Sequence, residues 1–304
     1  MICATPACYT SGVDRELSDS LRDYTRAVGA GLIIGLPLLY TMEIWVHGFI
    51  LPWWKLLLLL GLAFIVVLGY NSIAGFRRER SLSELLVDSV STIGLGIVVA
   101  FVALVALGRI EFGTSLRDAA GKVALEAIPI AFGASLAATL LSGAGTDDGD
   151  SGSDSGSGSS GGRVGPLHRL LVAAGGALLF ALNVAPTEEP VVLGIGAGPW
   201  LQLLVVAATL VLAFGLVFYA DFGGRSRAHR DGGPLDKPVT ETVATYAISL
   251  AVAWFMLWAF GRVDGASIHA IAGMTVMLAV FASVGAAVGR LLIGDDHEGE
   301  GAEA

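Results

Sequence analysis

The stretch DSVSTIGLGIVVAFVALVALGRIE, residues 88–111, decides the fold of this 304-residue chain. Between charged ends it is almost entirely apolar over about 20 residues, the length at which a helix crosses roughly 30 Å of hydrocarbon. A second stretch, ETVATYAISLAVAWFMLWAFGRVD at 241–264, aligns with it without a gap and is identical at eight of 24 positions. The sequence therefore predicts two related membrane-spanning helices, one in each half of the chain.

The composition extends this prediction to the whole chain. It is 54% hydrophobic and only 15% charged, with a mean hydropathy of +0.73, whereas a soluble domain carries roughly 25% charged residues. Apolar runs bounded by charge, glycine or proline predict an all-α membrane protein with eight transmembrane helices. Their expected limits are 26–47, 53–73, 84–108, 116–141, 167–185, 199–220, 239–261 and 267–292.

The alignment of the two halves continues on both sides of the quoted stretch. Upstream, YTMEIWVHGFILPWW at 40–54 aligns with PTEEPVVLGIGAGPW at 186–200. The matched residues there are Thr41 with Thr187, Glu43 with Glu189, Gly48 with Gly194, and Trp54 with Trp200. Downstream, with one position dropped, they are Ser115 with Ser267, Gly121 with Gly273, and Gly133 with Gly285. Four helices in each half predict two parallel repeats related by a pseudo-two-fold axis along the membrane normal.

The basic residues predict the orientation. Thirteen of the 18 lysines and arginines fall on the side of the N-terminus and five on the other, so the positive-inside rule places both termini in the cytoplasm of a multi-pass cell-membrane protein. The predicted organisation is a flexible N-terminus (1–25), the first repeat (26–141), a disordered Gly/Ser/Asp linker (142–166), the second repeat (167–293) and an acidic disordered tail (294–304).

The residues outside the predicted helices carry less information about function. Acidic, lysine-poor segments are typical of salt-loving microbes, and GC-rich coding gives the same bias. The sequence has no basic patch with interleaved aromatic residues, which is the pattern that would indicate nucleic acid binding. The only cysteines, Cys3 and Cys8, match no common metal-ligand spacing, and their role stays open.

Two adjacent glutamates lie between two prolines in ALNVAPTEEPVVLG, residues 181–194. Pro186 and Pro190 cannot both belong to one regular helix, and Pro37 predicts a kink in the first helix. Interrupted helices at corresponding positions of two halves indicate a binding site, because unwound backbone at membrane depth is covered by protein or lines a watery cavity. We expect residues 191–199 to form a partial re-entrant segment, with a plain surface turn as the alternative.

The predicted site lies at the outer ends of the first helix of each half. Its expected substrate- or ion-binding residues are Glu43, Glu188, Glu189, Thr41, Thr187 and Asn183. Arg109 with Glu111, and Arg262 with Asp264, end the third helix of each half and are predicted to form an ion-paired gate against these acids. The alternatives are hydrated interfacial acids and arginines that snorkel to the interface.

The fourth predicted helix carries Lys122 and Glu126, which lie one turn apart and are placed to form an ion pair. Zinc-protease, nucleophile-elbow and phosphate-loop motifs are missing from the sequence, so we expect no cofactor, and a membrane enzyme ranks third, after the two functions given below. The sequence leaves open whether a metal binds.

The segments GLPLLYTMEIW (35–45) and ALNVAPTEEPVVLG resemble a prokaryotic family of integral membrane proteins of unknown function. The resemblance covers most of both halves, and it implies a membrane fold with the lipid bilayer as partner but no activity and no site residue. Two functions stay open. One is a transporter or channel for a cation or small solute, with an acidic outer vestibule between the repeats. The other is a non-transporting scaffold, sensor subunit or assembly factor, and glycine-rich helix faces also permit a homo-oligomer.

Overall fold

The structure is a computed structural model that describes residues 6–75, 81–144, 166–222 and 238–294. These residues form ten helices and no strands, which confirms the all-helical fold. The helices are α1 (Pro6–Leu39), α2 (Met42–Ile50), α3 (Trp53–Gly75), α4 (Leu82–Ala106), α5 (Leu116–Ala144), α6 (Pro166–Val184), α7 (Glu189–Gly196), α8 (Pro199–Phe222), α9 (Pro238–Ala259) and α10 (Ile268–Gly294). Most of the predicted linker and nearly all of the predicted tail lie outside the described residues.

Six of the described helices are long and apolar enough to cross a membrane, namely α3, α4, α5, α8, α9 and α10. Two further pairs of helices pass this test only when the two helices of a pair are taken together. Each pair is sharply bent at the break between its helices. The bend between α1 and α2 is 83°, and that between α6 and α7 is 91°. The described residues thus contain six candidate spans, or eight if each bent pair counts as one. Each half shows the same order, a bent pair followed by three long helices.

The first bend lies further along the chain than the proline predicts. Pro37 is inside α1, and the chain turns after Tyr40, at Thr41, whose backbone is extended (φ −93°, ψ 126°). A proline removes a hydrogen bond one turn before itself, and α1 continues as a helix past Pro37 to Leu39. The hydroxyl group of Thr41 then donates to the carbonyl oxygen of Leu38 at 2.8 Å, which closes the end of α1.

The second bend lies between the two prolines, as predicted. α6 ends at Val184 and α7 begins at Glu189, so the segment after the break is a short helix rather than a plain turn. Pro190 has no N–H to donate to the carbonyl oxygen of Pro186, four residues earlier. That oxygen accepts a hydrogen bond from the guanidinium group of Arg262 in its place.

The N-terminus is helical where the sequence predicts a flexible segment. The predicted segment covers residues 1–25, whereas α1 begins at Pro6. Residues 13–28 contain neither glycine nor proline, and a helix that is already formed extends at little cost through such a stretch. Cys3 lies outside the described residues.

Glycine pairs set the closest helix contacts in each half. α5 packs against α1, α2, α3 and α4, and α10 packs against α6, α7, α8 and α9. Gly121 of α5 meets Gly48 of α2, and Gly273 of α10 meets Gly194 of α7, so closely that a Cβ atom at any of the four would overlap the opposite backbone. Small residues permit such close approach in membranes, where packing rather than the hydrophobic effect associates helices.

α4 and α9 end in the same way. Gly108 and Gly261 follow their last turns with φ of 65° and 72°, a left-handed conformation that glycine adopts without strain. The N–H of the next residue, Arg109 or Arg262, donates to the carbonyl oxygen five residues earlier at 2.8 Å in both cases. This is the Schellman arrangement, and it explains why Gly-Arg recurs in the aligned stretches.

The two halves meet where α3 packs against α6, and α5 also contacts α6 and α10. Tyr70 of α3 is buried there, and its hydroxyl group donates to the carbonyl oxygen of Val172 at 3.5 Å. Its ring lies directly against Gly175. This interface holds α3 against the second half. The other polar contacts between the halves lie at the opposite end of α3.

Candidate functional site

The candidate site lies at the bend end, which is the end of the bundle formed by α2, α7 and the loops 107–115 and 260–267. Here Lys55, at the start of α3, is only 8% exposed and donates to the carbonyl oxygen of Trp258 at 2.9 Å. That carbonyl belongs to the last turn of α9, where the helix dipole favours a cation. The ammonium group also lies 5.7 Å and 5.1 Å from the ring centroids of Trp54 and Trp258.

A second contact joins α2 to the end of α9. The ring of His47 packs edge-on against Phe260, with centroids 5.1 Å apart. Its Nδ1 hydrogen-bonds to the carbonyl oxygen of Glu43 at 2.8 Å, so this nitrogen is the donor. In the second half, the guanidinium group of Arg262 donates to the carbonyl oxygen of Pro186, at the break between α6 and α7. The end of α9 thus contacts α2, α3 and the second bend.

The second bend contains a donor and an acceptor without partners. Arg262 donates from Nη2 to Pro186, while its Nε is buried and unpaired. Asn183 donates from its side-chain nitrogen to the carbonyl oxygen of Leu179 at 2.8 Å, while its Oδ1 is buried and unpaired. Buried polar groups in folded proteins are nearly always hydrogen-bonded. Each of these two atoms can take one further hydrogen-bond partner.

The predicted oxygen ligands lie at the two bends. Glu43 is half-buried in the first turn of α2, and Glu188 and Glu189 are exposed at the start of α7. The hydroxyl groups of Thr41 and Thr187 each donate to the carbonyl oxygen three residues earlier, at 2.8 Å and 2.7 Å. Their protons therefore close the ends of α1 and α6, and only their lone pairs remain for a ligand.

The four predicted gate residues lie in the loops that follow α4 and α9. Arg109 is exposed and lies over the ring of Trp45, 4.7 Å from its centroid. Glu111 and Asp264 are exposed in their loops. In the described parts of the chain, no ion pair joins Arg109 or Arg262 to the glutamates of the bends. Of the two arginines, Arg262 is the one that contacts the second bend.

The predicted pair of Lys122 with Glu126 is wrong. Lys122 forms a salt bridge with Asp118 at 3.1 Å, and its ammonium group also donates to the carbonyl oxygen of Arg109 at 3.1 Å. Both partners lie toward the bend end, so the long side chain extends away from the middle of the helix. Glu126 is 0% exposed, and neither of its carboxyl oxygens has a hydrogen-bond partner.

Sequence reasoning missed Glu126 and Lys55 as site candidates. An acid in the middle of an apolar helix is by itself an indication of function. The predicted ion pair with Lys122 gave Glu126 a structural role instead. Lys55 stands alone before a run of leucines, which is also the pattern of an interface anchor. Within the described ranges, no group of three or more His, Cys, Asp or Glu side chains could hold a metal ion.

No curated protein and no solved structure matches the chain. A family model described as "Putative integral membrane protein (DUF2391)" matches residues 23–293. The match spans both bent pairs, all six long helices and every residue of the candidate site. The resemblance inferred from GLPLLYTMEIW and ALNVAPTEEPVVLG is confirmed, and the chain belongs to this family of integral membrane proteins of unknown function.

Proposed function

We propose that the protein is a transporter or channel for a cation or small solute, with a pathway that opens between its two halves at the bend end. The observation that carries the proposal lies at the end of α9, beside two broken helices. There His47 and Lys55 of the first half contact Phe260 and Trp258, and Arg262 binds the second bend. Ionisable residues inside membrane bundles mark ion and substrate pathways. Discontinuous helices at the junction of two repeats form the binding sites of many transporters.

The proposal includes eight spans, arranged as two parallel four-helix repeats. Three recurring features support it: the order of elements, the Schellman ends of α4 and α9, and the glycine contacts of α5 and α10. A further contact recurs at the far end of the bent pairs. Gly133 of α5 packs on the backbone of Ala30, and Gly285 of α10 packs on that of Gly176.

The proposed orientation has both termini in the cytoplasm and the bend end outside. It follows from the excess of basic residues on the side of the termini. The exposed Trp53, Trp54 and Trp200 at the bend end agree with it, because tryptophan favours the membrane interface. In this orientation Glu43, Glu188 and Glu189 face the external medium at the mouth of the pathway.

Arg262 is the proposed gate residue. Its hydrogen bond to Pro186 holds the second bend against the end of α9. Loss of this hydrogen bond would free the break between α6 and α7, three residues after Asn183.

Flux into proteoliposomes tests the proposal, with Na⁺, K⁺ and H⁺ as probes followed by entrapped ion-sensitive dyes. We expect the double variant Glu43→Gln, Glu189→Gln to abolish cation-dependent flux. Glu84→Gln is the control, because Glu84 is an exposed acid at the opposite end of the bundle. Flux that is unchanged in the double variant would remove these carboxylates from the mechanism.

A further inference from the structure

Glu126 lies at the centre of a candidate span. It is the middle residue of the 21-residue segment Leu116–Leu136, so about 15 Å of helix separates it from either end. It is fully buried, and both carboxyl oxygens lack partners. An unpaired charge at this depth costs about 2.5–3.5 kcal/mol on insertion scales, and a neutral carboxylic acid avoids that cost.

The carboxyl group is on the face of α5 that meets the first bend. One turn to one side, the backbone of Lys122 contacts Gly48 of α2. One turn to the other side, Ile130 contacts Gly31 and Gly35 of α1. Residues at this spacing share one face of a helix, so Glu126 faces the junction between α1 and α2.

The same junction contains an unpaired donor. The indole N–H of Trp45 in α2 is buried and has no acceptor. Trp45 packs against the apolar cluster that includes Val123 and Ala127 of α5. An unpaired donor on α2 and an unpaired carboxyl group on α5 therefore belong to one interface.

Other charged groups lie around the site on the neighbouring elements. On α5, Asp118 and Lys122 pair with each other, and Arg117 donates to the carbonyl oxygen of Leu51. On α2 they are Glu43 and the Phe260-stacked His47, and Arg109 after α4 lies over the ring of Trp45. On α3, Lys55 donates to Trp258 and Tyr70 to Val172. Tyr40 after α1 and His269 on α10 are exposed, and the other ionisable side chains described on α1 and α4 lie at the opposite end of the bundle.

α2 covers the route from this carboxyl group to the bend end. Asp118 lies on the same face, two turns or roughly 12 Å nearer that end, and its side chain is 21% exposed, with Oδ1 unpaired. Between Asp118 and Glu126 the backbones of Gly48 and Gly121 are in direct contact. Movement of α2 away from α5 would open this contact and bring water toward Glu126.

Packing does not require an acid at this position. Met274 of α10 contacts Gly194 in α7, as Lys122 contacts Gly48 in α2. Four residues further on, α10 has Leu278, which is 0% exposed. A leucine thus fills the equivalent place in the second half, so the carboxyl group of Glu126 is present for its chemistry rather than its volume.

We propose that Glu126 is a proton-binding site covered by α2. The carboxyl group holds a proton while α2 is packed on α5. When α2 moves away, the carboxyl group exchanges that proton with water that enters from the bend end. The site requires no transported solute, so it stands or falls independently of the function proposed above.

Carbodiimide labelling tests the site in the full-length protein in nanodiscs, because dicyclohexylcarbodiimide reacts with protonated carboxyl groups in apolar surroundings. Peptide mass spectrometry should find Glu126 labelled at a rate that falls as pH rises, and the label should vanish in Glu126→Gln. Gly48→Ala, which forces α2 away from α5, should raise the labelling rate severalfold. Gly194→Ala forces α7 away from α10 and is the matched control, which should leave the rate unchanged.

Infrared difference spectra between low and high pH give a second measurement that needs no glycine variant. We expect a protonated carboxyl C=O band that disappears at high pH and is missing in Glu126→Gln. Labelling that is independent of pH, or a rate that rises equally in Gly48→Ala and Gly194→Ala, overturns proton exchange under α2. Absence of both the label and the band overturns the proton-binding site itself.

Discussion

α5 and α10 make equivalent packing contacts in the two halves, but their side chains beside the shared glycine contact differ in charge. Each is the last helix of its half, and each contacts the four preceding helices and meets a short helix through a glycine pair. The face of α5 that makes this contact carries three ionisable residues at four-residue spacing, namely Asp118, Lys122 and Glu126. The corresponding residues of α10 are Ala270, Met274 and Leu278.

This difference separates what packing fixes from what it leaves free. The backbone contact needs glycine on both helices, and both halves have it. The side chains next to the contact are free to change, and only the first half places charge there. Lys55 follows the same pattern, because the aligned residue of α8 is the half-exposed Leu201. We therefore expect the ionisable groups beside the glycine contact to act in the first half, while the matching face of α10 serves packing alone.

The largest expected effect comes from giving α10 the acid of α5. Leu278→Glu should lower the free energy of unfolding by about 2.5–3.5 kcal/mol, because it places an unpaired carboxyl group in the middle of a span. Unfolding in mixed micelles with increasing dodecyl sulfate, followed by circular dichroism, measures the loss. Leu278→Met keeps the volume and should lose less than about 1.5 kcal/mol. Equal stability of the two variants would mean that α10 tolerates charge as α5 does.

The glycine contacts should respond alike in the two halves. Gly121→Ala and Gly273→Ala should each lower the unfolding free energy by about 1–3 kcal/mol, because the added methyl group overlaps the opposite backbone. Gly61→Ala is the control, since a Cβ atom there meets nothing within 4 Å. The same micelle titration applies. A large loss in one half with none in the other would break the equivalence of the two contacts.

Removal of the buried acid should stabilise the protein. Glu126→Leu should raise the unfolding free energy by about 1–3 kcal/mol, the cost of a buried polar group that lacks a hydrogen bond. Glu126→Gln keeps a polar group in place and should gain less. Thermal unfolding in detergent, compared among the three proteins, tests the order. A loss of stability in Glu126→Leu would show that the carboxyl group has a partner.

The smallest expected effect is the coupling of Asp118 with Lys122. Their side chains are 21% and 15% exposed, and a pair of this spacing on a helix contributes about 0.3–0.5 kcal/mol. A double-mutant cycle with Asp118→Ala and Lys122→Met measures it, and high salt should reduce it. A coupling several times larger would indicate that the pair is shielded from water and belongs to the proton route under α2.

Sequence reasoning located the breaks but not their contacts. Two prolines four residues apart predicted the interruption at 186–190, because neither supplies an N–H. The partner of the freed Pro186 carbonyl is Arg262, 76 residues away, and no local pattern indicates it. The first break lies at Thr41, four residues after Pro37, and α1 continues as a helix past that proline.

The same limit applies to the charged residues of α5. From sequence, Lys122 is equally far from Asp118 and Glu126, so local spacing could not choose between them. The choice follows from the position of the bend end, where the ammonium group also reaches the carbonyl oxygen of Arg109. Once Lys122 turns toward that end, Glu126 is left without a partner.

The sequence by itself determined the membrane class, the helices, the two interruptions and the matching landmarks of the halves, because hydropathy, proline and glycine act through the local backbone. The tertiary structure alone decided which ionisable groups meet. Lys55 reaches the carbonyl oxygen of Trp258, Arg262 reaches that of Pro186, and Glu126 is buried beside the contact of α5 with α2. These outcomes depend on how distant helices cross, and the energy of a buried charge is set by neighbours that are remote along the chain.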